Sequence, residues 1–260
     1  DKATATNNGK IDAQKGIGML AKNGATIENS AGATIEAGNE DTSAGTGMLV
    51  TENGTATNNG TINVNYTGSI GMSSTTTLTN NGTIDVKAGT GISVAGDGEA
   101  IVTGGTISVD NVDGNIGINI ADGTKKTTVT GANITLAGAG KGINAKGNVT
   151  LKDIAITLSE AATGTGIVYA GGDTEAEAEI STGNIDIKAA GKGIEATMSN
   201  KATSTLNIKT GIISTGDGAT GIKIAGSSIE VEAPKDGVQK TTATVTTTLG
   251  KTEGTGVDVI

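Results

Sequence analysis

The sequence predicts an all-β fold: a right-handed, single-stranded parallel β-helix of about eleven coils, roughly 24 residues each, with three strands per coil. Three observations carry that prediction. A glycine marker recurs along the whole chain, an Asn-Asn-Gly signal recurs in counterphase, and the residues after each signal alternate with period two.

The glycine marker reads Gly16-Ile17-Gly18-Met19, Gly45-Thr46-Gly47-Met48, Gly68-Ser69-Ile70-Gly71-Met72, Gly89-Thr90-Gly91-Ile92 and Gly114-Asn115-Ile116-Gly117-Ile118. It continues as Gly140-Lys141-Gly142-Ile143, Gly164-Thr165-Gly166-Ile167, Gly191-Lys192-Gly193-Ile194 and Gly218-Ala219-Thr220-Gly221-Ile222. A weaker Asp236-Gly237-Val238 and a final Gly254-Thr255-Gly256-Val257 complete it. Gly18 and Gly256 lie 238 residues apart over ten intervals, a mean of 23.8 with individual spacings from 16 to 29. Repeats of this length mean stacked supersecondary units.

Asn7-Asn8-Gly9-Lys10-Ile11, Asn58-Asn59-Gly60-Thr61-Ile62 and Asn80-Asn81-Gly82-Thr83-Ile84 are near-copies of the second signal. Gly104-Gly105-Thr106-Ile107, Ala132-Asn133-Ile134, Gly183-Asn184-Ile185 and Gly211-Ile212-Ile213 are degenerate ones. Asn and Gly tolerate a left-handed backbone, so each block reads as a turn entering a strand.

Alternation then assigns the faces. After the glycine marker, Ile92/Val94, Ile118/Ile120, Ile143/Ala145, Ile167/Tyr169, Ile194/Ala196 and Ile222/Ile224 point inward. After Asn-Asn-Gly, Ile62/Val64, Ile84/Val86, Ile107/Val109, Ile134/Leu136, Ile156/Leu158 and Ile185/Ile187 do the same. A third strand precedes Asn-Asn-Gly, with Leu78, Ile101, Val129, Val149/Leu151, Ala178/Ile180, Leu206/Ile208 and Val245 inside. Such strands pair only with their counterparts one coil away, so like stacks on like at about 4.8 Å. The right-handed sense follows from the preference of parallel crossovers. The chain 1–260 is read as one segment, with less regular coils after 227. A piece of one or two repeats is expected to be unfolded, because its strands lack partners; a cooperative β-type melt from such a piece would contradict this.

Composition removes whole classes of chemistry. There is no His, Cys, Arg, Phe or Trp, two Tyr, and a net charge of −9. No imidazole base, thiolate, disulfide or ordinary zinc or haem site is available, and neither cofactor nor metal is expected. Phosphate neutralisation and base stacking both lack residues, so nucleic acid is not an expected partner. Apolar runs are only a few residues long, too short to cross a bilayer as a helix.

The alternation of Asn-Asn-Gly-Thr-Ile with Gly-x-Gly-Ile, clearest from Thr55 to Ile120, resembles the passenger regions of large type V autotransporter adhesins, particularly the fusobacterial kind. That resemblance implies a β-helix exposed on the bacterial surface and tethered to the outer membrane through a C-terminal β-barrel of the parent chain. It implies a stalk and adhesive surface for host cells or other bacteria, with a surface protein or glycan as receptor, and no enzymatic activity. The chain starts and stops in mid-pattern, at Thr4-Ala5-Thr6-Asn7-Asn8-Gly9 and Val257-Asp258-Val259-Ile260, and is read as an excerpt of a longer passenger.

A parallel β-helix also supports other functions, each with its own residue requirements. A polysaccharide lyase or hydrolase needs clustered carboxylates with a cationic partner. Outward acids Asp12, Glu36, Asp85, Asp186 and Glu230 are separated by Asn63, Ser108, Thr135, Thr157 and Ser214, and only Asp12 and Glu36 fall in adjacent coils. No catalytic residue is assigned. Gly96-Asp97-Gly98 and Gly171-Gly172-Asp173 are too isolated for a calcium roll. Thr pairs at Thr4/Thr6, Thr55/Thr57, Thr75/Thr77 and Thr242/Thr244/Thr246 invite comparison with ice-binding ladders, but variable coil length argues for ordinary strand surface. Asn7/Asn8, Asn58/Asn59 and Asn80/Asn81 are expected to stack into amide ladders. Leu20, Leu49, Val168, Tyr66 and Tyr169 are the candidate apolar contact points, with edge packing the simpler role. The loops 36–44, 171–179 and 232–241 vary in length, as binding loops on rigid scaffolds do. No residue is assigned to partner binding.

Overall fold

A computed structural model describes residues 2–39, 43–95, 101–123, 125–159, 162–171, 176–188, 190–198, 204–225, 242–252 and 254–260. Among these residues every named strand is paired in parallel with strands of the neighbouring coils, and no helix occurs. The chain is a parallel β-solenoid.

The three strand families of the sequence become three faces. Thr4–Asn7, Thr26–Asn29, Thr55–Asn58 and Thr77–Asn80 open the first. Lys10–Ala13 and Thr34–Ala37 open the second, and Ile17–Ala21 and Thr46–Val50 the third. Further along, one strand often rounds a corner: Thr61–Ser74 and Thr83–Val94 each serve the second and third faces.

On the third face pairing runs Met19, Met48, Met72, Ile92, Ile118, Ile143, Ile167, Ile194, Ile222, Val257. That is ten members, fewer than the eleven coils expected. Ile222 pairs directly with Val257. The weak marker Asp236-Gly237-Val238 lies outside the described residues. On the second face Ile11, Ile35, Ile62, Ile84, Ile107, Ile134, Ile156, Ile185 and Ile213 form one column. Val245, outside the regular part of the sequence, still pairs with Ile208, although register shifts interrupt that strand pair.

Burial follows the alternation, with one exception. The inward residues from Ile62 to Ile224 are buried, but Ile101 is half exposed and Val102 lies inside in its place. Register decides this, since Val102 is pinned between Leu78 below and Val129 above.

The glycines of the marker serve approach more than turning. Gly68, Gly89, Gly114 and Gly218 have positive φ, but the second glycine of each marker does not. A Cβ on Gly91 would lie 2.6 Å from the carbonyl oxygen of Gly117, and one on Gly71 2.6 Å from that of Gly91. Gly47 and Gly117 meet the next coil in the same way, at 2.6 and 2.5 Å. The column of glycines therefore lets coils lie at strand spacing where the chain enters the third face.

The Asn-Asn-Gly blocks also differ from expectation. None of Asn8, Gly9, Asn59, Gly60, Asn81 or Gly82 has a left-handed backbone. A Cβ on Gly60 would collide with the Ala33 carbonyl, and one on Gly82 with the Gly60 carbonyl. Gly60 and Gly82 are selected by the coil beneath them, and the first Asn of each pair by the ladder described below.

Tyr169 fits a narrow core because its neighbours in the column are small: Ala145 below and Ala196 above. Its ring is 2 % exposed, and its hydroxyl donates to the Gly147 carbonyl at 3.1 Å. Burial, helped by the charge of Asp122, pushes its pKa up to about 12. The folded chain thus holds the neutral phenol where the unfolded chain ionises, and stability falls as pH rises from the ordinary tyrosine value toward about 12. Tyr169→Phe is expected to lose about 1 kcal/mol at neutral pH and to flatten this alkaline decline, read from urea midpoints against pH.

Candidate functional site

An amide ladder runs through the corner between the first and second faces. Asn7 Nδ2 donates to Asn29 Oδ1 at 2.8 Å, Asn29 to Asn58 at 2.7 Å, and Asn58 to Asn80 at 2.7 Å. Asn80 closes the series on the Gly104 carbonyl at 2.7 Å. Asn29, Asn58 and Asn80 are fully buried, so each amide depends on its neighbours for satisfaction. The expected stacking holds, and it includes Asn29, which the Asn-Asn-Gly signal does not mark because Ser30 follows it. The second Asn of each pair faces solvent: Asn81 donates to Asn59 at 2.9 Å, and Ser30 to Asn8 at 2.9 Å. Asn144 and Asn119 make a similar outward pair at 2.8 Å on the third face.

Beside this corner the second face carries an outward column of Asp12, Glu36, Asn63, Asp85 and Ser108 in direct register. Its first four members lie on successive coils. Glu36 Oε1 accepts from Asn63 at 3.1 Å and Oε2 from Asn65 at 2.7 Å, while Lys10 Nζ stands 3.6 Å from Oε1. Gln14 donates to Asp12 at 2.9 Å. These side chains, with Asn39 and Lys87, line an open groove of about 380 Å³. Asn39, bridged to Ser43 at the base of the 36–44 loop, stands at its edge. The Oδ1 of Asn65 is buried and accepts no hydrogen bond.

Asp85 is half-buried. Burial raises its pKa above the usual carboxylate range, the Asp110 charge adds to this, and Lys87 opposes it. An acid shifted upward contributes least once it is ionised, so its cost appears as pH rises through the folded value. Asp85→Asn is expected to raise the urea midpoint at neutral pH and to leave it unchanged near about pH 3.

The remaining acids do not gather. Asp186 stands in register with Thr157 and Ser214, its nearest cation being Lys188 at 3.9 Å. Glu230 and Gly96-Asp97-Gly98 lie outside the described residues, as do Gly172, Asp173 and the 232–241 loop. Among the described residues no group of three or more His, Cys, Asp or Glu is placed to hold a metal ion.

The threonines are better ordered than coil length implies. Thr4, Thr26, Thr55 and Thr77 form one column on the first face, and Thr57, Thr79, Thr103 and Thr130 a second beside it. Length differences are taken up at corners and leave register intact. Glu28, Ile101 and Lys152 interrupt the array.

Of the apolar candidates, Tyr169 belongs to the core and is withdrawn as a contact point. Leu20 is exposed and stacks on the half-buried Leu49. Val168 and Tyr66 are half-buried.

Comparison with known protein families, with curated proteins and with solved structures finds no match. The class defined by fold and geometry is a parallel β-solenoid with polar ladders on its outward positions.

Proposed function

We propose that the chain is a non-enzymatic segment of an autotransporter-type passenger, held at the bacterial surface as a stalk and adhesive face. The supporting observation is the continuous register of ten strands on one face, which fixes the outward side chains on a stiff lattice. Such a lattice presents a surface to a host-cell or bacterial protein or glycan without rearrangement, the property that a rigid binding scaffold needs. The purified chain is expected to coat beads that adhere to epithelial cells or to other bacteria. Failure to bind any surface would reduce it to a spacer.

A second reading is favoured by one observation, the pairing of Asp12 with Glu36 in the groove beside Lys10. A carbohydrate-active enzyme would use two such carboxylates on either side of a glycosidic bond. Both oxygens of Glu36 are engaged by Asn63 and Asn65, which suits a positioned acceptor more than a mobile acid and base. Turnover assays on pectin, alginate and glycosaminoglycans separate the two readings, and any cleaved product overturns the adhesive one.

A further inference from the structure

We propose that the second-face groove is a binding site for an uncharged oligosaccharide. The inference rests on the reading of the rod as an adhesive surface and names the ligand class and the place. Four coils contribute to the groove: Asp12, Glu36, Asn63 and Lys87 mark their successive levels. Three steps at strand spacing make it roughly 14 Å long, room for a few sugar rings end to end.

The lining selects the ligand. Apart from Gly38, every side chain in it is polar, with carboxylate oxygens, amide groups and ammonium groups interleaved. Hydroxyls that both donate and accept are matched by such a set. Lys10 stands 3.6 Å from Glu36, and Lys87 lies beside Asp85. With Asp12 the groove and its margin thus carry one surplus negative charge, which disfavours an anionic ligand, while among the described residues no three acids gather to hold a cation. The strands of Glu36, Asn63 and Asp85 are paired on both sides, so among the described residues an added peptide finds an edge only at Lys10–Ala13, at one end of the groove.

Asn65 supplies the independent indication. Its Nδ2 is committed to Glu36 at 2.7 Å, which fixes the amide orientation, and its buried Oδ1 is left without a donor. That oxygen is closed to the groove as the side chain stands, so a ligand hydroxyl satisfies it only when the amide turns outward, and leaving such an acceptor unmet is costly. No aromatic ring lines the groove, so recognition relies on hydrogen bonds exchanged with water, and affinity is set in the millimolar range.

The test is a titration of the isotope-labelled full chain with cellotetraose, triacetylchitotriose, lacto-N-tetraose and, as an anionic arm, a heparin tetrasaccharide. The expected result is saturable shifts of the side-chain amide signals of Gln14, Asn63 and Asn65 with at least one neutral probe. Asn65→Ala and the solvent-facing Asp12→Ala should each weaken binding about tenfold or more, while Thr103→Ala on the first face leaves it unchanged. Binding by heparin alone, shifts elsewhere on the rod, full binding by both groove variants, or no shift with any neutral probe would overturn the site. Coated beads run in parallel distinguish the two failures. Adhesion without neutral-sugar binding removes the groove alone, whereas absence of adhesion removes the underlying reading.

Discussion

Alanine at Gly91 is expected to destabilise the solenoid by about 3 kcal/mol or more, at the upper end of overpacking costs. The methyl would stand 2.6 Å from the Gly117 carbonyl oxygen, 3.1 Å from Val86 Cγ2 and 3.3 Å from Ile84 Cγ2. The side chains could shift slightly, but the carbonyl belongs to the next coil, whose strand is locked to this one through Ile92 and Ile118. Relief requires the two coils to separate, which weakens the ladder on that face. Gly9→Ala is the matched control, because nothing lies within 4 Å of its added Cβ and its φ is not left-handed. Urea melts followed by far-ultraviolet circular dichroism should show a large midpoint shift for the first variant and almost none for the second. Equal behaviour would mean that the glycine column is not a steric requirement.

The second large effect is at Asn58. Replacement by Ala strips Asn29 of its 2.7 Å acceptor and Asn80 of its 2.7 Å donor, both inside the protein. Two buried groups left wanting, together with the lost volume, set the expected destabilisation at about 4 kcal/mol. Asn58→Asp makes the sharper test. It keeps the acceptor for Asn29 but turns an oxygen toward Asn80 Oδ1, and burial raises the pKa of such a carboxyl. Its stability should therefore recover as pH falls and the acid becomes a donor, opposite to the usual acid denaturation. A variant equally weak at all pH values would show that volume, not the chain of donors, governs the site.

How much was legible follows from which physics is local. Period-two alternation belongs to single strands, so Ile62/Val64 and Ile118/Ile120 could be placed inside from the sequence. The error at Ile101 arose because two adjacent apolar residues leave the phase open, and only pairing with Leu78 closes it. The Asn-Asn-Gly repeat exposes the amide ladder, but the left-handed turn also expected there is absent, since left-handed turns and close coil contacts favour the same residues. Asn29 could have been found by its position two residues after Ile27, before Thr34-Ile35, had the offset from the strand been followed instead of the Asn-Asn pair. Asn115 stands inside a glycine marker, and its role in bracing the coil below, buried and accepting from the Gly89 amide at 2.9 Å, depends on a residue of another coil. The groove was out of reach. It exists only because Asp12, Glu36, Asn63 and Lys87, far apart in the chain, share one lane on the surface.

The separation of register from coil length has a consequence for how such genes change. Met72 meets Ile92 after 20 residues, and Ile222 meets Val257 after 35, with the same parallel pairing in both. Codon insertions or deletions at the corners are therefore tolerated, while a single added residue within a strand would turn its inward set outward. Lineages carrying this chain should differ in the lengths of their protruding segments and agree in the spacing within Thr-Ile-x-Val runs.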